Sequence, residues 1–346
     1  MIVLDFNFGK IMDVVFGYAP VVIPTLNRYE HFKRCLDSLE HCTGADKTDV
    51  YVGLDYPPSS KYVEGWKIID VYLKEKERSN GFKHLFVYRR DHNCGVGKKG
   101  SNTSLLLQEV EKVSDRYIFT EDDNEFSPNF LEYINWGLNT YKDDNSIYAI
   151  CGCKDIETSD IKNNVYKLNT IFNAWGYGCW FSRGEKTKKL YNHDYLKQIV
   201  FQAKWSDLFS SKVTTLSSLL YQIAAKTFHG DFIVSLLPEQ EKWCIFPKVN
   251  KVRNWGWDRT GMHGGSPEAL KKYSTLPMDT NEHFEPVIVE DLFNPVVYER
   301  FKKRYKTSKK TYIRAAITFL CYKLTGYIPV SNKKSKWCKV KLLKVQ

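Results

Sequence analysis

The sequence predicts an α/β domain in which a mostly parallel β-sheet is flanked by helices. Within the first 140 residues, short apolar runs typical of strands alternate with segments whose apolar residues recur every three or four positions. The connections are short, and this alternation places parallel strands side by side with helices on both faces. The chain of 346 residues is 43% hydrophobic and 26% charged, which is ordinary for a globular protein and excludes disorder as the main state.

Four strands are predicted in this first part of the chain, at residues 20–24, 49–54, 84–90 and 117–120. Helical spacing lies between them, in one segment that begins at Tyr29 and in another that includes Leu106 and Val110. A third helix is predicted over residues 130–141, because Ser127 followed by proline is a typical helix start.

Beyond residue 145 the pattern weakens. An apolar run covers residues 146–151, a stretch rich in aromatic residues and glycine covers 173–181, and a helical region extends to about residue 228. A last apolar segment lies at 246–257. Because no repeat or low-complexity linker interrupts the chain, we predict one compact domain over residues 1–290 and an extension over residues 291–346.

The net charge of +11 is concentrated at the end of the chain. Residues 301–346 contain 14 Lys or Arg and no acidic residue, which leaves residues 1–300 with 37 basic and 40 acidic side chains, a net charge of −3. A nucleic-acid-binding protein would carry its basic residues on the folded body. A basic-tailed nucleic-acid-binding protein is therefore kept only as an alternative.

The cysteines and the N-terminus both predict a cytoplasmic location. The nine cysteines are irregularly spaced, and the close pair Cys151 and Cys153 lacks the second pair that a zinc site needs, so we expect reduced thiols. No window approaches the roughly 18 to 20 unbroken apolar residues of a spanning helix. Asp5, Lys10 and Asp13 stand where a signal peptide would be apolar.

Polar and charged residues follow the predicted strands. Ligands of such sheets bind beyond the carboxyl ends of the strands, so these residues converge on one edge. The fourth strand leads directly into Glu121-Asp122-Asp123, three carboxylates whose mutual repulsion in a buried position requires a compensating cation or a network of hydrogen-bond donors. Oxygen ligands select hard ions such as Mg2+ or Mn2+, which also bind substrate phosphates. The alternative is a solvated turn that leads into the helix cap at Ser127.

Residues 95–100 fit the G-x-G-x-x-G pattern of dinucleotide-binding proteins and lie between a strand and a helix. In a Rossmann fingerprint the first glycine follows immediately after the first strand, whereas here residues 91–94 intervene and the strand is the third. A nicotinamide-dependent oxidoreductase that uses this loop is the alternative enzyme. Lys98 and Lys99, beside the glycines, suit a surface that faces phosphate.

Taken together, these segments resemble a known family. Residues 20–28 (PVVIPTLNR), the helix after them, Asp55 and the acidic triplet look like the nucleotide-sugar domain of GT-A glycosyltransferases of the inverting family 2 type. Residues 121–133 (EDDNEFSPNFLEY) are also similar to the metal-site segment of N-acetylglucosaminyltransferase I. The resemblance extends more thinly to about residue 265. It implies a Rossmann-like GT-A catalytic domain, a hexosyltransferase activity that depends on Mn2+ or Mg2+, and a nucleotide-sugar donor, foremost a UDP-sugar.

The resemblance also implies roles for particular residues. Asp123 would bind the metal that bridges the diphosphate, Asp122 would support the ribose or the metal, and His263 would contact the metal or the diphosphate. The alternative for His263 is a surface loop. The donor pocket would be lined by Thr25, Arg28, Asp55, which would accept from the nucleobase, and Lys98.

Asp231 is the candidate general base, because its interval before the 246–250 segment is similar to that in related enzymes. It would deprotonate the acceptor hydroxyl on the side of the sugar opposite the leaving group. The alternative is a helix-capping aspartate after Gly230. Five aromatic residues near glycines suit either stacking on sugar rings or core packing, namely Trp175, Tyr177, Trp180, Trp255 and Trp257.

The acceptor is expected to be a glycan or a lipid-linked sugar in bacterial surface polysaccharide synthesis. Residues 312–324 intersperse apolar side chains with Arg314 and Lys323, a pattern that suits the interface of an anionic membrane. We therefore expect a cytoplasmic enzyme that binds peripherally to the cytoplasmic face of the inner membrane. The alternative is a basic helical extension that packs on the domain or forms a dimer.

Overall fold

The structure is a computed structural model, and it describes residues 17–96, 100–210, 212–225, 230–261, 264–331 and 340–345. Its strands are β1 (Val21–Thr25), β2 (Asp49–Leu54), β3 (His84–Arg89), β4 (Arg116–Phe119), β5 (Asn124–Phe126), β6 (Ile147–Cys151), β7 (Val165–Leu168), β8 (Tyr177–Trp180), β9 (Trp243–Pro247), β10 (Val252–Asn254), β11 (Tyr327–Ser331) and β12 (Val340–Lys344). Its α-helices are α1 (Tyr29–Glu40), α2 (Val63–Arg78), α3 (Asn102–Glu111), α4 (Phe130–Thr140), α5 (Phe181–Lys188), α6 (His193–Gln202), α7 (Lys212–Ala225), α8 (Gly230–Ser235), α9 (Pro267–Ser274), α10 (Pro295–Arg304) and α11 (Lys309–Thr325).

Eight strands form the main sheet, in the spatial order β3-β2-β1-β4-β8-β6-β9-β7. β8 and β7 run antiparallel to their neighbours and the other six share one direction, which confirms the predicted mostly parallel α/β sheet. In β1, Val22 lies opposite Tyr51 of β2 and Phe119 of β4. The strand order reverses between β1 and β4, so their carboxyl ends flank the crevice in which such sheets bind ligands.

Helices cover both faces of the main sheet. On one face, α1, α2 and α4 bury apolar residues against the strands, among them Phe32, Ile69 and Ile134. On the other face, α3 and α7 bury residues such as Leu106 and Leu220. Each buried aliphatic or aromatic side chain contributes about 1.5 to 3 kcal/mol relative to exposure, so both layers hold the strand ends in place.

A separate two-stranded ribbon joins two distant parts of the chain. β5 follows the acidic triplet and pairs antiparallel with β10, with Asn124 opposite Asn254 and Phe126 opposite Val252. The ribbon therefore brings the segment that begins at Val252 directly against residues 121–123.

The basic extension begins with two helices that pack on the body of the protein. Val297 of α10, Phe301 of α10 and Phe319 of α11 are buried in the same core as α7. In the described residues after α11, β11 and β12 pair antiparallel instead of continuing the helix, with Tyr327 opposite Lys344. The division at residue 290 stays a prediction. Among the described helices, we find none with the length and apolar character needed to cross a bilayer.

Candidate active site

The carboxyl ends of β1 and β4 bring four of the predicted site residues together. β1 ends at Thr25, whose hydroxyl donates a hydrogen bond of 2.9 Å to Asp122 Oδ2. Arg28, the N-cap residue of α1, contacts Asp122 Oδ1 through Nη2 and lies 2.8 Å from Asp123 Oδ2. Thr25 and the two aspartates are buried. We call Asp122 and Asp123 the aspartate pair, and Arg28 is the cation that links its two members.

Asn254 is a further site residue, which the sequence analysis did not single out. Its Nδ2 donates to Asp123 Oδ1 at 2.7 Å and to Asn124 Oδ1 at 2.9 Å, because β10 pairs with β5 at this position. The next residues also approach Asp123 closely. A Cβ added to Gly256 would lie 2.0 Å from Asp123 Oδ2, so only glycine fits beside the carboxylate. The sequence analysis offered only the thin resemblance that reaches about residue 265, and the residues around Asn254 have no distinctive spacing.

The segment after β10 is also fixed to α1. His31 Nε2 lies 3.2 Å from both the carbonyl oxygen of Trp255 and Asp258 Oδ2. The guanidinium of Arg34 lies 4.1 Å from the centre of the Trp255 ring, and Trp255 Nε1 donates to Glu125 Oε2 at 2.9 Å. These contacts give Trp255 a structural role. They also fix the loop that follows β10 next to the aspartate pair.

The acidic triplet carries more negative charge than Arg28 neutralises. Burial raises the pKa of Glu121 to about 8, and repulsion by Asp123 and Asp122 adds to this effect. Burial also raises the pKa of Asp122, although Arg28 opposes the shift. Burial alone would lower the pKa of Arg28, but Asp122 and Asp123 outweigh it and raise that pKa. The guanidinium therefore stays charged, and three carboxyl groups share one cation.

The donor chemistry of this cluster fits a hard divalent cation. Carboxylate oxygens are the ligands that Mg2+ and Mn2+ prefer, and the surplus of negative charge favours a second positive group. Among the described residues, no three Asp, Glu, His or Cys side chains form a complete ligand set. A metal at Asp123 would therefore take its other ligands from water, from phosphate or from residues outside the described part, among them His263.

Arg28 also offers an unused hydrogen-bond donor. Its Nη1 is buried and has no hydrogen-bond partner in the described part of the chain, although Nη2 binds both aspartates. A buried guanidinium nitrogen without a partner is costly, because it has lost its water. An anionic oxygen such as that of a phosphate would satisfy it.

Asp55 follows β2 as predicted and is buried, but its carboxylate holds a neighbouring loop. Asp55 Oδ1 accepts from the backbone N–H groups of Cys94 at 2.8 Å and Tyr56 at 2.9 Å. Asp55 Oδ2 accepts from the Gly95 N–H at 3.1 Å and from Asn93 Nδ2 at 3.3 Å. These four bonds fix the start of the glycine-rich segment, and recognition of a nucleobase by Asp55 stays a prediction.

Asp231 lies in the first turn of α8, is exposed, and accepts from the N–H of Phe232 at 2.8 Å. Its negative charge is near enough to the acidic triplet to contribute to the raised pKa of Glu121. Burial, together with the negative charge of Asp231, raises the pKa of Tyr191 to about 12. Lys98 and His263 lie outside the described residues, so the geometry of these two predicted contacts is left open.

The five aromatic residues proposed for sugar stacking separate into different environments. Tyr177 packs among core aromatic rings, and Trp180 is buried under Arg183, whose guanidinium lies 3.7 Å from its ring centre. Trp175 and Trp257 instead form a partly exposed cluster with Tyr273, with ring centres 5.0 to 6.4 Å apart. This aromatic cluster is adjacent to the aspartate pair, because Trp257 follows Gly256.

Comparisons with known proteins give weak structural matches. No family model matches the chain, and no curated protein matches it in sequence. A crystal structure of S. aureus TarS is 17% identical over 41% of this chain and 24% of its own, with a TM-score of 0.28. A second S. aureus TarS structure is 12% identical, covers 58% of this chain and 64% of its own, and has a TM-score of 0.35.

A third match is the mannosyltransferase PcManGT from Pyrobaculum calidifontis, in complex with GDP-Man and Mn2+. It is 14% identical over 51% of this chain and 47% of its own, with a TM-score of 0.30. The chain thus spans less than two thirds of each of these three structures. At these identities and scores the matches assign no substrate, and the chemistry of the site must carry the function.

Proposed function

We propose that the protein is a glycosyltransferase that moves a sugar from a nucleoside-diphosphate donor to an acceptor hydroxyl with inversion. The observation that carries the proposal is the cluster in which Thr25 and Arg28 bind the buried aspartate pair, at the point where the strand order of the sheet reverses. Ligands of open α/β sheets bind at this point. The resemblance of residues 20–28 and of the acidic triplet to GT-A enzymes supports the same assignment.

The donor half of the reaction would depend on charge stabilisation. A Mn2+ or Mg2+ ion bound through Asp123 would stabilise the negative charge that develops on the departing diphosphate. Asn254 holds Asp123 in position, and Arg28 Nη1, which has no hydrogen-bond partner among the described residues, would donate to a phosphate oxygen. Thr25 orients Asp122. Lys98 and His263 are proposed as further contacts to the diphosphate.

The acceptor half of the reaction needs a base and a surface for the sugar. Asp231 is proposed as the base, since its carboxylate is exposed and its charge contributes to the raised pKa of Glu121 in the acidic triplet. The cluster of Trp175, Trp257 and Tyr273 offers aromatic faces on which a sugar ring would stack. We propose a glycan or lipid-linked acceptor, a hexose as the transferred sugar, a UDP-sugar as donor, and a cytoplasmic role in bacterial surface polysaccharide synthesis.

Thermal unfolding with nucleoside diphosphates tests the donor site. In Mn2+, UDP or GDP at a hundredfold excess over its Kd should stabilise the protein by about 2.7 kcal/mol. The stabilisation in EDTA should be smaller, and Asp123→Asn should remove the difference. Asp194→Asn, an exposed aspartate on α6, is the matched control and should behave like the wild type. Equal stabilisation in EDTA would contradict the metal role, and stabilisation by NAD alone would favour the oxidoreductase.

A further inference from the structure

The outer face of α11 is apolar. Ile313, Ile317, Leu320 and Leu324 recur at spacings of four, three and four, which places them along one side of the helix. Their exposed fractions are 57, 50, 37 and 68%. The opposite side of α11 buries Ala315 and Phe319 in the core. The position of the helix is therefore fixed by one face, while the other face presents an apolar stripe outward.

A second apolar element lies alongside this stripe. The segment 201–209 runs antiparallel to α11, because Tyr312 Oη donates to the carbonyl oxygen of Leu208 at 3.1 Å and Lys323 Nζ donates to that of Ala203 at 2.6 Å. Phe201 and Phe209 in this segment are 81 and 83% exposed. We call the α11 stripe and these two phenylalanines the apolar face.

The surroundings of the apolar face are strongly basic. Exposed cations lie in the last turn of α10 and on α11. Lys302 pairs with Glu299 and Arg304 with Asp155, whereas Lys303, Lys309, Lys310 and Arg314 form no ion pair within the described part of the chain. Lys309 and Lys310 occupy the first turn of α11, where the helix dipole disfavours positive charge. Their placement therefore does not serve the stability of the helix, and residues 301–346 contain no acidic side chain to neutralise them.

We propose that the apolar face binds the surface of an anionic lipid bilayer, with α11 lying in the plane of the interface. Apolar side chains would enter the boundary between headgroups and acyl chains, and each nearby cation would add about 1 kcal/mol of attraction to anionic lipid. Charge complementarity favours this occupant over a second copy of the chain, since two identical basic surfaces repel each other. The proposal concerns lipid binding alone, so it does not depend on the glycosyltransferase assignment.

Vesicle sedimentation without any nucleotide tests the proposal. The full-length protein should bind vesicles that contain about one third phosphatidylglycerol in phosphatidylcholine, and should bind pure phosphatidylcholine at least roughly tenfold more weakly. Raising the salt concentration from about 0.05 to 0.5 M should weaken the binding to anionic vesicles, because the Debye length shortens. Failure to bind anionic vesicles even at low salt would overturn the proposal.

Paired substitutions distinguish vesicle binding through the apolar face from nonspecific adsorption of exposed apolar residues to lipid. Ile317→Gln with Leu320→Gln should weaken vesicle binding at least roughly tenfold, since two inserted side chains are lost. Ile68→Gln with Val71→Gln is the matched control, because these residues have the same spacing and similar exposure on α2, which packs on the other face of the sheet. Equal vesicle binding by both variants would refute the assignment. The assignment would also be refuted if analytical ultracentrifugation showed that the α11 substitutions convert a dimer to a monomer while vesicle binding is unchanged.

Discussion

Gly256→Ala tests whether the close approach between the loop after β10 and Asp123 matters. The added Cβ would lie 2.0 Å from Asp123 Oδ2, and ordinary contact begins near 3.4 Å, so the loop or the carboxylate must move by about 1.4 Å. The neighbours of Asp123 oppose that movement, because Asn254 and Arg28 hold its two oxygens at 2.7 and 2.8 Å. We expect a loss of roughly 1 to 3 kcal/mol in the free energy of unfolding, as for other overpacked sites.

The functional effect of Gly256→Ala should exceed its effect on stability. A displacement of about 1 Å in a catalytic group costs on the order of 100-fold in rate, and we expect a decrease of that size in transfer, with weakened binding of nucleoside diphosphate in Mn2+. Calorimetric titration and chemical denaturation measure the two quantities. Gly184→Ala is the control, since nothing lies within 4 Å of its added Cβ. Wild-type nucleotide affinity and transfer in Gly256→Ala would refute the close packing described for this site.

Two further predictions concern the base and the acidic triplet. Asp231→Asn should leave the Kd for nucleoside diphosphate near the wild-type value while transfer decreases by roughly 100-fold, and weakened nucleotide binding or unchanged transfer would remove Asp231 from the mechanism. Because the pKa of Glu121 is raised to about 8 in the folded protein from 4.5, its neutral form favours folding below about pH 4.5, and this contribution is lost as the pH rises through about 8. Stability of the wild type should therefore decrease from pH 5 to pH 8 relative to Glu121→Gln, and parallel pH profiles in thermal unfolding would contradict the shift.

Periodicity predicted the elements whose pattern is local. β1 to β4, α1, α3 and α4 were all expected, because their apolar residues repeat with the period of a strand or helix over a whole element. β5, β7 and the ribbon with β10 were not predicted. These strands have three or four residues, and their existence depends on partners far along the chain. The sequence analysis also missed α2. Ile68 and Val71 are apolar but lie on its exposed side, so the apolar residues of this helix do not follow a single helical stripe.

The same distinction applies to the candidate site. The acidic triplet was recognisable because three adjacent carboxylates after an apolar strand are chemically unusual. Asn254 was not recognisable, since an asparagine in a short loop-like segment has many ordinary explanations and its role depends on pairing with Asn124. Tyr177 and Trp180 show the reverse case. Their glycine neighbours suggested a sugar-binding surface, but β8 buries Trp180 in the core and packs the partly buried Tyr177 against core aromatic rings.

The charges of the site themselves favour one kind of ligand. Buried ionic clusters contribute little to stability, and well-packed apolar residues often replace them without loss. Here three carboxyl groups share one guanidinium, which also keeps one buried donor without a partner in the described part of the chain. A divalent cation alone would offset the surplus of negative charge but leave Arg28 Nη1 unpaired. A diphosphate alone would satisfy Nη1 but bring like charge to the aspartate pair. A diphosphate with its cation satisfies both, and this is why the Asp123→Asn experiment should show coupled rather than independent binding of metal and nucleotide.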